Sequence, residues 1–457
     1  MRWPTLCALH CSGCWIRCGL SKSCLPIKSM AGVMDKNSKI AIIGAGIGGL
    51  VAADALKAKG YKDIVIYEAL DRIGGKLRSV ERDGYHYEMG GVFIPETFTS
   101  VKALMKRHRY SLTEKMPLSA AIYFDGSQHT NFNYGRNKYG FTRLLRDLFG
   151  LYKLVRKDAS LDAANHYHVP QSQYQSLEQM LSSSLPYTVA PFLTGMGYGY
   201  TDRTPAFYQL KLIKRVLGFA AALEINSNLG LSLPVTYYAK GGYQAFAEKI
   251  AKLFTVHINT PVISLQRGQG GGSITLKTSR SDEKYDVVIV AVTPKAALKF
   301  MDFDAADKAL YLNTRSFYFH SSLFYAQGLP SDKMLFFPEA LKNGNIGQVS
   351  CLVNWHPEHT LFSAYQLNDG SVDANNMNDL LVQRVTELGG RIIDITMQEV
   401  FDYFPHYSPR GMQTLSPYSK LETMQGKGNT YFVGGFLAGE SVNDVVRFSG
   451  ELVERYF

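Results

Sequence analysis

The stretch Lys39–Glu68, K-I-A-I-I-G-A-G-I-G-G-L-V-A-A-D-A-L-K-A-K-G-Y-K-D-I-V-I-Y-E, limits the fold more than any other part of the chain. Lys39–Ile43 is an apolar run suited to a buried parallel strand, Gly48–Lys59 is Ala-rich and helical in period, and Ile64–Tyr67 is a second strand. The turn between strand and helix holds Gly44, Gly46 and Gly49 in a G-x-G-x-x-G spacing. Gly44 permits the tight turn, Gly46 removes a side chain where a pyrophosphate must approach, and Gly49 lets helix and strand pack closely. The phosphates would meet the positive helix end and its unpaired N–H groups. The backbone of Gly44, Ala45, Gly46, Gly48 and Gly49 is therefore the expected dinucleotide cradle. Glu68, ending the second strand, can accept both ribose hydroxyls and would repel a 2′-phosphate. NAD and FAD both satisfy this unit.

The next residues narrow the choice. Arg72-Ile73-Gly74-Gly75-Lys76 is a second glycine pair followed at once by a cation, and a simple dehydrogenase has no need of it. This loop resembles the E-x-x-x-R-x-G-G-R/K of the flavin amine oxidase superfamily. There the loop and its cation embrace the FAD pyrophosphate and ribityl chain, which the resemblance assigns here to Gly75 and Lys76. Gly90-Gly91 likewise resembles the loop that touches the isoalloxazine. Lys240-Gly241-Gly242-Tyr243 resembles the superfamily's G-G-x helix, followed by a strand whose Val262 would contact the adenine. The closing segment is a strand ending at Gly434-Gly435 and a helix Val442–Tyr456, for which Ser441 and Asn443 are natural N-caps. Under the flavin pyrimidine, the helix start at Val442 would stabilise negative charge on the reduced ring.

The resemblance implies an α/β fold: a Rossmann-type FAD-binding domain of amine oxidase topology with an inserted mixed α+β substrate, or cap, domain. Residues 38–96, 235–298 and 412–457 fall to the FAD-binding domain, and 97–234 and 299–411 to the cap. A length of 457 residues suits that division. Residues 1–37 read as a leader or a disordered segment. Four cations, Arg2, Arg17, Lys22 and Lys28, precede the first acid, Asp35, and five of the six Cys fall in the first 24 residues. Met30 or Met34 is then the working start, and the expected compartment is the cytoplasm, or an organelle if 1–34 is a targeting segment, rather than the secretory route. With only Cys351 in the body, the fold reads as formed in a reducing compartment.

The formal charge of +10 raises nucleic acid or an anionic membrane as partners. No basic stripe interleaved with aromatics supports nucleic acid. No apolar run approaches a membrane span of ~18 residues. Phe141–Lys157 is an amphipathic basic helix, read either as a cap helix packed inward or as a peripheral membrane contact. His356-x-x-His359 lacks a third ligand, so no metal is expected.

A narrower likeness appears at Tyr87-Glu88-Met89-Gly90, Gly197-Tyr198-Gly199, Tyr403-Phe404-Pro405-His406, Met424-Gln425-Gly426 and the closing F-S-G-E-L-V-E-R-Y-F. These resemble the bacterial polyunsaturated fatty acid isomerase family. The likeness implies a hydrophobic substrate, with Tyr198 and Phe219 in its pocket and no strong acid or base for hydride steps at flavin N5, so that no catalytic side chain is singled out. Two positions depart. The superfamily's acid after the last strand's Gly is here Gly435, which leaves FAD held by backbone. Leu118 and Ser119 stand before Asp125-Gly126 where the isomerases carry an arginine for the fatty carboxylate, so Arg215 and Lys211 are the replacement candidates. Three readings remain open: a redox-neutral fatty acid isomerase, an amine oxidase or lipid or isoprenoid desaturase with an external acceptor, and a non-catalytic flavin-binding protein.

Overall fold

The computed structural model describes residues 34–181, 185–268, 272–338 and 345–457. The leader reading of 1–37, with its cysteines, lies almost wholly outside these residues, as does the tip of the Gly-rich hairpin at 269–271. A five-stranded parallel sheet forms the base, in the order Thr255–His257, Ile64–Tyr67, Ile40–Ile43, Val287–Val290, Thr430–Phe432. Its central strands Ile40–Ile43 and Val287–Val290 are buried at every position, as expected where helices cover both faces. The helices Ile47–Ala58 and Val442–Tyr456 pack on each other beside it. Sequence extremes thus meet: the strand before the first glycine loop and the strand before the last helix are separated only by Val287–Val290.

The run Tyr285–Val292, which reads as one strand, divides at Asp286. Tyr285 ends a strand of a separate antiparallel sheet (Val262–Gln266, Ile274–Thr278, Asp282–Tyr285), while Val287 starts the central one. The Asp286 carboxylate accepts the Lys39 N–H at 2.7 Å, fixing the break where the chain changes sheets.

The second layer is a seven-stranded mixed sheet. Its order is Arg391–His406, Arg315–Gln327, Leu361–Asn368, Val349–Val353, Met334–Phe336, Ala120–Phe124, Ser127–His129. Helices of residues 131–229 lie around it, among them Phe141–Lys157, Leu185–Gly195 and Ala206–Leu229. One large hydrophobic core runs through both layers, and a smaller one lies under the helix Ala374–Glu387.

The hairpin Ser79–Arg82, Tyr85–Glu88 turns at Asp83-Gly84, both at positive φ (52° and 78°) as a tight two-residue connection of this type requires. It ends in a buried carboxyl. Glu88 accepts from the Tyr243 N–H at 2.8 Å and the Ser79 hydroxyl at 2.7 Å, and burial pushes it up to about 7 from 4.5. Because the folded chain holds this proton to higher pH than the unfolded one, stability falls as pH rises from 4.5 to 7 and then stays low. The loss is on the order of 3 kcal/mol. Glu88→Gln is expected to flatten that descent, read from urea midpoints of the two proteins across this window; parallel curves would refute it.

Candidate active site

The glycine loops and the cap enclose one continuous cavity of about 640 Å³. Gly44, Gly46 and Gly48 line its floor, Gly74 and Gly75 one side, and Gly434 and Gly435 the other. The tightness of this packing explains the residue type. A Cβ on Gly49 would lie 2.2 Å from the Gly44 carbonyl oxygen, and one on Gly75 would lie 3.2 Å from the Gly46 Cα. Backbone therefore meets backbone at the cavity's base, leaving the N–H groups at the start of the helix Ile47–Ala58 unobstructed.

Glu68 is buried at the end of its strand. One carboxylate oxygen accepts the Ala45 N–H at 2.7 Å and the other the Leu70 N–H at 2.9 Å, so the side chain holds the first glycine loop against the second strand. Each oxygen retains a further acceptor position, and the residue lines the cavity. Arg72 spans the next loop, donating to the Gly75 carbonyl at 2.8 Å and pairing with Glu399 at 3.1 Å.

The other end of the cavity is closed with carbon. Phe93, Pro95, Phe192, Met196, Leu212, Val216 and Phe219 line it, with Tyr365 from the mixed sheet and Trp355 from the loop after Val349–Val353. Phe219 packs against Phe93 with ring centroids 5.2 Å apart. Tyr198 is buried on the loop after Leu185–Gly195, its phenol oxygen receiving the Ser441 backbone N–H, and burial holds its proton well above the usual tyrosine range. That loop can form only with glycine at 197: φ is +80°, and a Cβ would come within 2.5 Å of the Tyr403 ring.

A profile of the family "flavin containing amine oxidoreductase" matches residues 47–311, more than half of the chain. The chain belongs to that family. Curated relatives of the chain include the 4,4'-diapolycopen-4-al dehydrogenase of Metabacillus indicus, 35% identical over 28% of this chain and 29% of that protein. The neurosporene-forming phytoene desaturase of Rhodobacter capsulatus is 26% identical over 56% and 53% of the two chains. The chain thus spans under a third of the first relative's length and about half of the second's. Among solved structures, the CLA-producing fatty acid isomerase from P. acnes superposes with a TM-score of 0.82 at 23% identity, covering 93% of this chain and all of that one. Putrescine oxidase bound to putrescine gives 0.67 at 15% identity, with 92% and 98% covered. Both likenesses establish the shared fold.

Membership of the family implies a flavin, and the cavity's polar atoms fit one. Three residues that line it each carry a buried oxygen with no hydrogen-bond partner among the described residues: Glu440 Oε1, Ser441 Oγ and Asp402 Oδ1. Buried acceptors of this kind are costly unless something donates to them, and the hydroxyls of a flavin's side chain are such donors. Gly90 presses onto the second loop so closely that a Cβ would meet the Lys76 carbonyl at 1.9 Å, and Gly91 touches Val442, which lines the wall at the start of the last helix.

Of the residues expected at the flavin, Gly44, Gly46, Gly48, Glu68, Gly75 and Lys76 face the cavity, as do Gly90, Gly91, Gly435 and Val442. Ala45 and Gly49 lie behind the wall, acting on it through the Glu68 hydrogen bond and through helix packing. Val262 does not line it. It pairs with Thr278 in the separate antiparallel sheet, and Ala291, Val292 and Thr293 form the nearby wall instead.

Beside Gly435 the structure places an acid from elsewhere in the chain: a Cβ on Gly435 would sit 2.7 Å from Glu440 Oε1 and 2.9 Å from Oε2, so the Glu440 carboxylate lies where a side chain at 435 would begin. Glu440 is 4% exposed and pairs with Lys76 at 2.8 Å, joining the second glycine loop to the last helix. Sequence reading missed it because the acid stands five positions downstream, and only the turn at Gly439 (φ +101°) folds it back.

The two cations considered for a substrate carboxylate are used elsewhere. Leu212, Val216 and Phe219 share one face of their helix; Lys211 and Arg215 lie off it. Arg215 pairs with buried Asp444 at 2.9 Å and donates to the Asp162 carbonyl at 3.0 Å. Lys211 donates to the carbonyls of Ala438, Ala164 and Asn165 at 2.7, 3.3 and 3.4 Å, and burial lowers it to about 8. Both tie the cap to the start of the last helix. His356 and His359 flank the Tyr85 ring at 4.3 and 4.6 Å.

Proposed function

We propose that the chain is an FAD-dependent enzyme acting on an apolar, polyunsaturated acyl chain, and that it moves a double bond into conjugation without net oxidation. One observation carries this reading: the end of the cavity away from the glycine loops is walled by Phe, Tyr, Trp, Leu, Val and Met, whereas the acids and cations that line the cavity are Glu68, Arg72 and Lys76 at the glycine loops, Glu399 and Glu440 paired with them, and Asp402, which accepts from Thr293. A cationic amine would enter that end without a counter-charge, at a cost of several kcal/mol. An unsaturated hydrocarbon would lose nothing.

FAD supplies a reversible hydride acceptor. The chain's residues do the rest by position. Phe219, Phe93 and Phe192 confine the hydrocarbon, and Tyr198, Trp355 and Tyr365 present aromatic faces that favour positive charge spread over a pentadienyl system once hydride has left. Return of the same hydride to another carbon conserves atoms and electrons. The apolar lining offers water few polar partners there, which would slow capture of the charged intermediate. No cation lines the cap end among the described residues, so the substrate's polar head stays toward the cavity mouth rather than on an internal anchor. The division into an FAD-binding domain of 38–96, 235–298 and 412–457 and a cap of 97–234 and 299–411 belongs to the same proposal.

The relatives named as desaturases support a second reading, in which the same hydride passes on to an external acceptor. Incubating the yellow protein with linoleic acid under nitrogen separates the two. The expected product has unchanged mass and conjugated-diene absorbance. A product lighter by two hydrogens, formed only with an added acceptor, would replace the isomerase by a desaturase, and peroxide release with an amine would replace both.

A further inference from the structure

We infer that the cap carries a docking surface for an anionic phospholipid bilayer, centred on the exposed face of the helix Phe141–Lys157. This helix buries Leu144, Leu151 and Val155 against the cap, yet its apolar surface is wider than the protein covers. Phe141, Leu145, Phe149 and Tyr152 are 41–57% exposed. At about 100° per residue these four fall within an arc of roughly 80°. An aqueous surface gives no reason to keep two exposed phenylalanines and a leucine in one stripe.

The stripe continues onto a second helix. Phe132 packs on Phe141 at 6.2 Å, and its backbone N–H donates to Glu224 at 2.7 Å, bringing the end of Ala206–Leu229 alongside. There Ile225 and Leu229 are again exposed, Leu229 by 67%. The charges have one sign. Residues 131–157 hold seven Lys and Arg and a single acid, Asp147. That acid is buried and paired with Arg143 and Arg146. Lys153 lies 4.1 Å over the Phe149 ring, and Arg156 bonds the Tyr152 hydroxyl, so cations and aromatics are interleaved at the surface.

An apolar stripe bordered by cations matches the boundary between anionic headgroups and acyl chains. A second copy of this chain would bring the same positive face against itself. The helix Ala206–Leu229 reaches from this surface to the cavity, where Leu212, Val216 and Phe219 line the wall. A bilayer-dissolved ligand would therefore be delivered close to the cap. The surface itself does not depend on which substrate the cavity takes.

The full chain should sediment with vesicles of phosphatidylcholine and phosphatidylserine in equal parts, release with added salt, and stay in solution with phosphatidylcholine alone. Leu145→Glu combined with Phe149→Glu, both at exposed positions, should weaken binding by about tenfold or more while leaving the melting temperature unchanged. Val382→Glu, exposed on the separate helix Ala374–Glu387, should bind as the wild type does. Absent sedimentation, or equal binding by the double variant and the wild type, would overturn the proposal. So would a dimer in ultracentrifugation that the same two substitutions dissociate, since a second copy would then cover this face.

Discussion

Gly49→Ala is expected to yield a protein that melts several degrees lower and is purified without flavin. The added methyl group would stand 2.2 Å from the Gly44 carbonyl oxygen and 3.1 Å from Ile42 Cγ2. Neither the turn nor the central strand can retreat, because Gly44 donates its N–H to the Tyr67 carbonyl at 2.7 Å and Ile42 is fully buried between two parallel neighbours. Overpacking against a flexible side chain costs about 1–3 kcal/mol, and here the obstacle is backbone, so the cost should lie at or above the upper end. Alanine is the better helix former, which makes the sign of the result informative: propensity alone predicts a gain of about 1 kcal/mol. A stabilised, flavin-bound Gly49→Ala protein would mean that the loop and helix do not approach as described. Thermal melts and the flavin-to-protein absorbance ratio measure both quantities.

Glu440→Gln should weaken flavin binding by about 10- to 100-fold, with the fold intact. The substitution keeps the shape beside Gly435 while removing the charge that Lys76 meets and one carboxylate acceptor of a residue lining the cavity. A hydrogen bond involving a charged group contributes about 1.5–3 kcal/mol, which is the stated range in affinity. Position 435 provides the control. Gly435→Glu alone should be worse than Glu440→Gln, since the new side chain would begin within 3 Å of the existing carboxylate. Gly435→Glu together with Glu440→Gly should recover part of the loss by restoring one acid in the same space. Titration of the apoprotein with flavin, followed by fluorescence, gives each dissociation constant. Indistinguishable values for the wild type and Glu440→Gln would remove Glu440 from the site.

The oxygens without partners among the described residues, Glu440 Oε1, Ser441 Oγ and Asp402 Oδ1, come from two separate stretches of chain. They are brought together because the middle of the long strand Arg391–His406 and the loop before the last helix both meet the second glycine loop, where Arg72 pairs with Glu399 and Lys76 with Glu440.

The base of the fold was written into local sequence. An apolar run, a glycine spacing and an Ala-rich helix are each decided within a few residues, because strand burial, positive φ and close helix packing restrict which side chains a position tolerates. That is why residues 39–68 could be placed without coordinates, and the glycine pair and cation at 72–76 then pointed to the flavin family. Tertiary structure alone decided which side chains line the cavity. Arg215 and Lys211 stood in the right helix, but buried Asp444 and three carbonyls claim them, whereas Glu440 took the place left by Gly435 through a turn that brings distant side chains into one space. Burial and charge pairing are settled by the whole packed chain, and a single strand or helix carries no record of them.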